Sequence, residues 1–195
     1  MAATSSPSDD GTARRHERLR LLLAAEALIT GREMTLASGR TSTLYFNVKK
    51  PLFDPECAAL IADEMLERLR GETFDCVGGM ALGAVPIVAA VCARSFPNRP
   101  IRGFFVRKEV KEHGTQNVIE GYFEAGARVV LLEDVTTTGA ATLRAAEAVR
   151  AAGGHVDRAI TIIDRLEGAR GNLAAHGIDL AALFTRDDFA EAAGA

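Results

Sequence analysis

The stretch that most constrains the fold is Val129-Val130-Leu131-Leu132-Glu133-Asp134-Val135-Thr136-Thr137-Thr138-Gly139-Ala140-Ala141-Thr142. It opens on an unbroken apolar run of strand length, rich in valine and leucine. Such a run suits a strand covered on both faces, as in a parallel sheet. Two carboxylates follow at its carboxyl end, then hydroxyl and small residues, then an Ala-rich helical pattern from Ala140 to Ala152. In open α/β sheets the crevice beyond the strand ends is where ligands sit. Small side chains and Gly139 leave backbone N–H groups uncovered at a helix N-terminus, a cradle sized for a phosphate. Glu133 and Asp134 beside it suit sugar hydroxyls or a hydrated Mg²⁺. The combination points to a sugar phosphate.

The rest of the chain extends this strand–helix alternation. Arg14 to Thr30 reads as an amphipathic helix stopped by Gly31. Met34 to Val48 is strand-like, with a turn at Ser38-Gly39 and an aromatic pair, Tyr45-Phe46, that suits either core packing or stacking on a flat base. Asp54-Pro55 starts a helix reaching about Arg70. Phe74 to Gly78 is a short strand, followed by the glycine-rich Gly78 to Gly83 and a helix from Ala84 to Arg94. That loop has neither P-loop nor dinucleotide spacing, yet after a parallel strand it can bring amides to a second phosphate. Arg102 to Val106 is a strand and Arg107 to Asn117 a charged loop. Val156 to Ile163 is a strand ending in Asp164-Arg165. Gly168 to His176 is a short helix or turn, Ile178 to Phe184 a last apolar segment, and Asp187 or Asp188 can cap a closing helical turn. The expected fold is a doubly wound, mainly parallel α/β sheet with a small N-terminal hood. Its expected divisions are a mobile tail at 1–13 and one domain at 14–195, made of a hood (14–50) and an α/β core (51–195).

Composition narrows the partners. A length of 195 residues accommodates one real core, and a net charge of −3 offers no field for nucleic acid or acidic membranes. No apolar run is long enough to span a bilayer, and the polar start has no signal-peptide pattern. Cys57, Cys76 and Cys92 lie far apart with no metal-ligand spacing, as expected of buried thiols in a reducing, cytoplasmic setting.

Three features together are similar to the orotate phosphoribosyltransferases, of the type I phosphoribosyltransferase fold, over about Arg14 to Phe189. They are the acid–threonine loop, the basic run Arg107-Lys108-x-x-Lys111-x-His113-Gly114, and Ser38-Gly39-Arg40 preceding the aromatic pair. The resemblance implies transfer of a phosphoribosyl group from 5-phosphoribosyl diphosphate (PRPP) to orotate, a step of pyrimidine synthesis. It implies Mg²⁺ carried mainly by the diphosphate rather than by protein ligands. It also implies a homodimer whose loop 107–117 contributes to the neighbouring site, Lys108 reaching in from the other subunit. By the same resemblance Glu133 and Asp134 meet the ribose hydroxyls, and Val135, Thr136, Thr137, Thr138, Gly139, Ala140 and Ala141 surround the 5′-phosphate. Arg107, Lys108, Lys111 and His113 meet pyrophosphate; Thr137, Arg165, Tyr45 and Phe46 meet orotate. Lys108, Lys111, His113 and Asp134 are the catalytic candidates. Two lysines common in the family are replaced here by Ala37 and Gly83, and Lys49 or Lys50 is the expected substitute. Rivals are a purine phosphoribosyltransferase, a PRPP-sensing regulator, and a plain Mg²⁺-nucleotide binder, which lacks its P-loop lysine here.

Overall fold

The computed structural model of the chain describes residues 7–35, 41–108 and 118–190. Helix α1 (Pro7–Glu26) leads into a two-stranded antiparallel hairpin, β1 (Leu28–Thr35) and β2 (Thr41–Phe46). A six-stranded sheet follows: β3 (Cys76–Gly78), β4 (Arg102–Val106), β5 (Ile119–Gly121), β6 (Arg128–Thr136), β7 (His155–Asp164) and β8 (Asp179–Thr185). Its helices are α2 (Pro55–Arg68), α3 (Ala84–Ser95), α4 (Ala140–Ala151) and α5 (Ala169–Ala174). The spatial order is β5-β4-β3-β6-β7-β8, parallel throughout except for β5 on β4. From β3 the chain steps outward to β4, then crosses back to place β6 on the other side of β3. The order therefore reverses between β3 and β6, and the crevice beyond their carboxyl ends is the expected ligand position.

The central strand explains the layering. Val130 and Leu132 pack into the core under α2 and α3, while Val129 and Leu131 pack into the core under α4 and α5. All four are at most 4% exposed. A fully buried leucine or valine contributes roughly 1.5–3 kcal/mol, so this run anchors both layers. The alternation also aims the next two side chains. Glu133 continues the α4 face and Asp134 the α3 face.

Most expected elements are present, and Asp54 caps α2 as expected, accepting from the Cys57 N–H at 2.8 Å. The first helix differs. It runs Pro7–Glu26 rather than Arg14 to Thr30, starting at a proline, whose fixed φ suits a first helical position. Leu28 and Ile29 instead pair across the hairpin with Phe46 and Tyr45. The tail expected at 1–13 thus overlaps α1 from residue 7; residues 1–6 and the expected turn at Ser38-Gly39 lie outside the described residues. Strand β5, three residues long, carried no readable period. The closing turn, Arg186–Phe189, is capped by Thr185, whose N–H and hydroxyl both donate to Asp188 Oδ2. The hairpin is held to the core where Phe46 packs on Phe189, centroids 5.2 Å apart, and where the Asn47 N–H donates to the Ala27 carbonyl.

Candidate active site

A cavity of about 680 Å³ opens at the β3–β6 switch point. Its walls come from the hairpin (Tyr45, Phe46, Val48, Lys49), the β3–α3 loop (Met80 to Gly83), the end of β6 with the start of α4 (Glu133 to Ala141, and Arg144), Lys108 and Arg165. A second cavity, about 480 Å³, lies at the amino ends of β3 and β6 beside Asp75 and Arg102. That is the wrong end of a parallel sheet for a ligand, and Asp75 there already accepts from the Arg128 N–H.

The loop after β6 is fixed by its carbonyls. The Arg165 N–H donates to the Thr136 carbonyl (3.0 Å), Asn172 Nδ2 to that of Thr138 (2.9 Å), and the Leu143 N–H to that of Gly139 (2.9 Å). Gly139 is the α4 N-cap in the left-handed region, φ +81, with no side chain to cap the helix. The first N–H groups of α4 have no intrahelical partner by construction, and they face the cavity wall formed by Ala140 and Ala141. The result is a rigid anion cradle.

The two carboxylates divide as the strand alternation requires. Glu133 is 6% exposed and accepts from Thr142 Oγ1 at 3.2 Å. Burial, reinforced by the adjacent Asp134 charge, pushes its carboxyl up to about 8. Asp134 accepts from the Val135 N–H at 2.8 Å, and the β3–α3 loop lies close against it. A Cβ on Gly83 would stand only 2.7 Å from Asp134 Oδ1, so the loop backbone approaches as glycine alone permits. The same loop is bonded to β4: the Ala81 N–H donates to the Val106 carbonyl and the Val106 N–H to the Gly79 carbonyl, both at 2.8 Å. Lys108 follows two residues on, at the cavity.

Arg165 is 4% exposed and borders the cavity, with Glu167 Oε1 3.0 Å from its Nε. The turn after it passes through Leu166 at φ +57, held by the Asp164 carboxylate, which accepts from the Leu166 N–H at 2.9 Å.

Of the residues singled out in the sequence, the cavity gathers Tyr45, Phe46, Lys108, Glu133 to Ala141 and Arg165. Phe46 also belongs to the core, against Phe189. Arg107 is not on the cavity wall; it is ion-paired to Glu120 at 3.2 Å, at the base of the loop. Lys111 and His113 lie outside the described residues. Lys49 is on the wall, whereas Lys50 is ion-paired to Glu26. The glycine-rich loop singled out for a second phosphate supplies Met80 to Gly83 to the wall, whereas Val48 and Arg144 were not foreseen. The sequence signal that could have found Arg144 was its spacing, four residues after Ala140 and three after Ala141 on one helix face. Among the described residues no group of three His, Cys, Asp or Glu side chains converges as a metal site. Burial pushes the Cys57 and Cys76 thiols up to about 12 and about 11, which makes them packing groups rather than nucleophiles.

A doubly wound sheet with a helix-start anion cradle, adjacent carboxylates and a hairpin hood over the switch point is the arrangement of the type I phosphoribosyltransferases. No family model matches the chain. Orotate phosphoribosyltransferase of Rhodopseudomonas palustris (strain BisB18) is 46% identical over 178 residues, covering 88% of this chain and 95% of that protein. The structure of Mycobacterium tuberculosis orotate phosphoribosyltransferase in complex with Fe(III) dicitrate matches with a TM-score of 0.80 at 34% identity, covering 90% of this chain and 99% of that one. The same protein in complex with PRPP matches at 0.76 and 31%, covering 90% and 98%. The chain belongs to the orotate phosphoribosyltransferase family.

Proposed function

We propose that this chain transfers the 5-phosphoribosyl group of PRPP to orotate, giving orotidine 5′-phosphate and pyrophosphate, a step of pyrimidine synthesis. The observation that carries the reading is the pinned loop from Thr136 to Ala141 at the start of α4, with Glu133 and Asp134 beside it. It offers a seat for a sugar phosphate, and family membership supplies the base.

The residues take the following parts. The α4 N–H groups and the threonine hydroxyls of the loop hold the 5′-phosphate. Glu133, its proton retained by burial, donates to one ribose hydroxyl, and Asp134 accepts from another. A ring nitrogen of orotate attacks the anomeric carbon as the bond from that carbon to the diphosphate oxygen breaks; the electron pair leaves on pyrophosphate, which also takes up the proton released from the nitrogen. The ribose gains oxocarbenium character, which the Asp134 carboxylate favours, while Lys108, with Lys111 and His113, meets the charge gathering on the leaving group. Arg165 faces the polar edge of orotate, and Tyr45 the ring. Among the described residues no cluster of side chains builds a metal site, which fits a magnesium ion that would be carried mainly by the diphosphate itself. When bound, such an ion neutralises diphosphate charge. Closure of the basic loop excludes water that would otherwise capture the sugar.

Incubating the protein with PRPP, Mg²⁺ and equimolar orotate, adenine and hypoxanthine tests the reading. Consumption of orotate alone is the expected result, and consumption of a purine instead would overturn it.

The active unit in this proposal is a homodimer in which loop 107–117 serves the neighbouring site. Lys108 borders its own cavity here, so the cross-subunit role has a direct test. Mixing Lys108→Ala and Asp134→Asn proteins, each inactive alone, restores activity if the lysine acts across the interface and restores none if it acts within its own subunit. No helix among the described residues is long and apolar enough to cross a membrane. The free thiols of Cys57, Cys76 and Cys92 accord with a reducing compartment such as the cytoplasm.

A further inference from the structure

Arg144 has no part in the function proposed above, yet it stands on the cavity wall. It lies in the second turn of α4, four residues after Ala140 and three after Ala141, which line the same wall. Residues at these spacings share one face of a helix. Helical side chains lean toward the helix start, and long ones extend over the preceding turn. The two alanines are small, so they leave room for an arginine stem to reach over that turn along the wall all three share. A cation near the positive end of a helix dipole is disfavoured unless an anion sits there. Glu147 lies at i+3 toward the other end of α4, and the two form no ion pair among the described residues. The other wall cations come from elsewhere: Lys108 after β4, Lys49 after the hairpin and Arg165 after β7. Arg144 alone among them shares an element with the phosphate cradle.

We infer that Arg144 is a phosphate-end ligand: its guanidinium covers the 5′-phosphate held by the α4 N–H groups and binds it before and after transfer. This rests on the PRPP reading of the site and adds to it. A phosphate carries more negative charge than the helix start alone offsets, and guanidinium supplies directed donors to its oxygens. Because the 5′-phosphate does not change in the reaction, the contact acts equally on ground and transition states.

Two probes separate the ends of PRPP. Ribose 5-phosphate carries only the monoester phosphate, and pyrophosphate only the leaving group. Isothermal titration of each into wild type, Arg144→Ala and Arg144→Lys tests the inference. Arg144→Ala should weaken ribose 5-phosphate about tenfold, the effect of one charge-assisted hydrogen bond, and leave pyrophosphate binding unchanged. Arg144→Lys should fall between the two. In turnover, the KM for PRPP should rise with kcat and the orotate KM preserved. Unchanged ribose 5-phosphate binding in Arg144→Ala, or an equal loss for both probes, would overturn the inference while leaving the PRPP reading intact. A wild-type protein that binds neither probe and consumes no orotate would overturn the PRPP reading itself.

Discussion

Gly139→Ala tests the cradle most sharply, because the structure supplies its own control. Gly139 and Gly168 are both helix N-caps in the left-handed region, at φ +81 and +99. An alanine at either carries the same backbone penalty, roughly 1–2 kcal/mol. Their surroundings differ. A Cβ at Gly168 meets nothing within 4 Å, whereas one at Gly139 stands 3.0 Å from Leu173 Cγ and 3.3 Å from its Cδ1. Leu173 is fully buried and cannot swing into solvent. Displacing it by a few tenths of an ångström costs about 0.5–1.5 kcal/mol, the scale of an off-rotamer side chain. Gly168→Ala should therefore destabilise by about 1–2 kcal/mol and Gly139→Ala by about 1.5–3.5 kcal/mol. Urea unfolding of the ligand-free proteins measures the difference. The same displacement tilts the α4 N–H groups, so Gly139→Ala should also raise the PRPP KM at least about tenfold, and Gly168→Ala should not. Equal destabilisation of the two variants together with an unchanged PRPP KM in Gly139→Ala would refute both the packing argument and the cradle.

Further expectations concern charge. The Glu133 carboxyl is raised in the folded chain, so the folded state holds a proton that the unfolded state releases; stability falls as pH climbs from the ordinary value near 4.5 toward about 8. Glu133→Gln should flatten that slope, read as urea midpoints across the window, and a parallel slope in the variant would assign it to other groups. Lys49→Ala should raise the PRPP KM while Lys50→Ala leaves it unchanged, since Lys49 borders the cavity and Lys50 is paired with Glu26; equal effects would remove the distinction. Glu64, 3% exposed, accepts from Arg15 Nε at 2.8 Å and lies 3.0 Å from His16 Nδ1, so it fastens α1 to α2. Glu64→Ala should cost about 1–3 kcal/mol, a fall of several degrees in Tm, with the PRPP KM preserved.

What the sequence disclosed follows from where local pattern and tertiary structure agree. The run Val129 to Leu132 reads as a doubly covered strand because both of its faces are apolar, and both are buried. Asp54-Pro55 and the glycine-threonine loop are legible because capping and left-handed turns demand particular residues. The hairpin's first strand was obscured, since Leu28 and Ile29 continue the apolar spacing of α1 and only pairing with Tyr45 and Phe46 makes them strand. β5 exists through its antiparallel bonds to β4, a non-local cause that three residues cannot announce. At the site, Glu133 and Asp134 were visible as a pair, but their division into a proton-holding group on the α4 side and one pressed by Gly83 needs the third dimension. Arg107 illustrates the converse. The family resemblance marks it as a pyrophosphate contact, and its ion pair with Glu120, set by the β4–β5 pairing, was not legible in the sequence.

The most direct measurement is the fall of orotate ultraviolet absorbance in the presence of PRPP and Mg²⁺, for the wild-type protein beside Lys108→Ala. Orotate loss that requires both partners and collapses in the variant is the predicted result. A wild-type protein that leaves orotate untouched while still binding PRPP would contradict the assignment and point to another base or to a PRPP sensor.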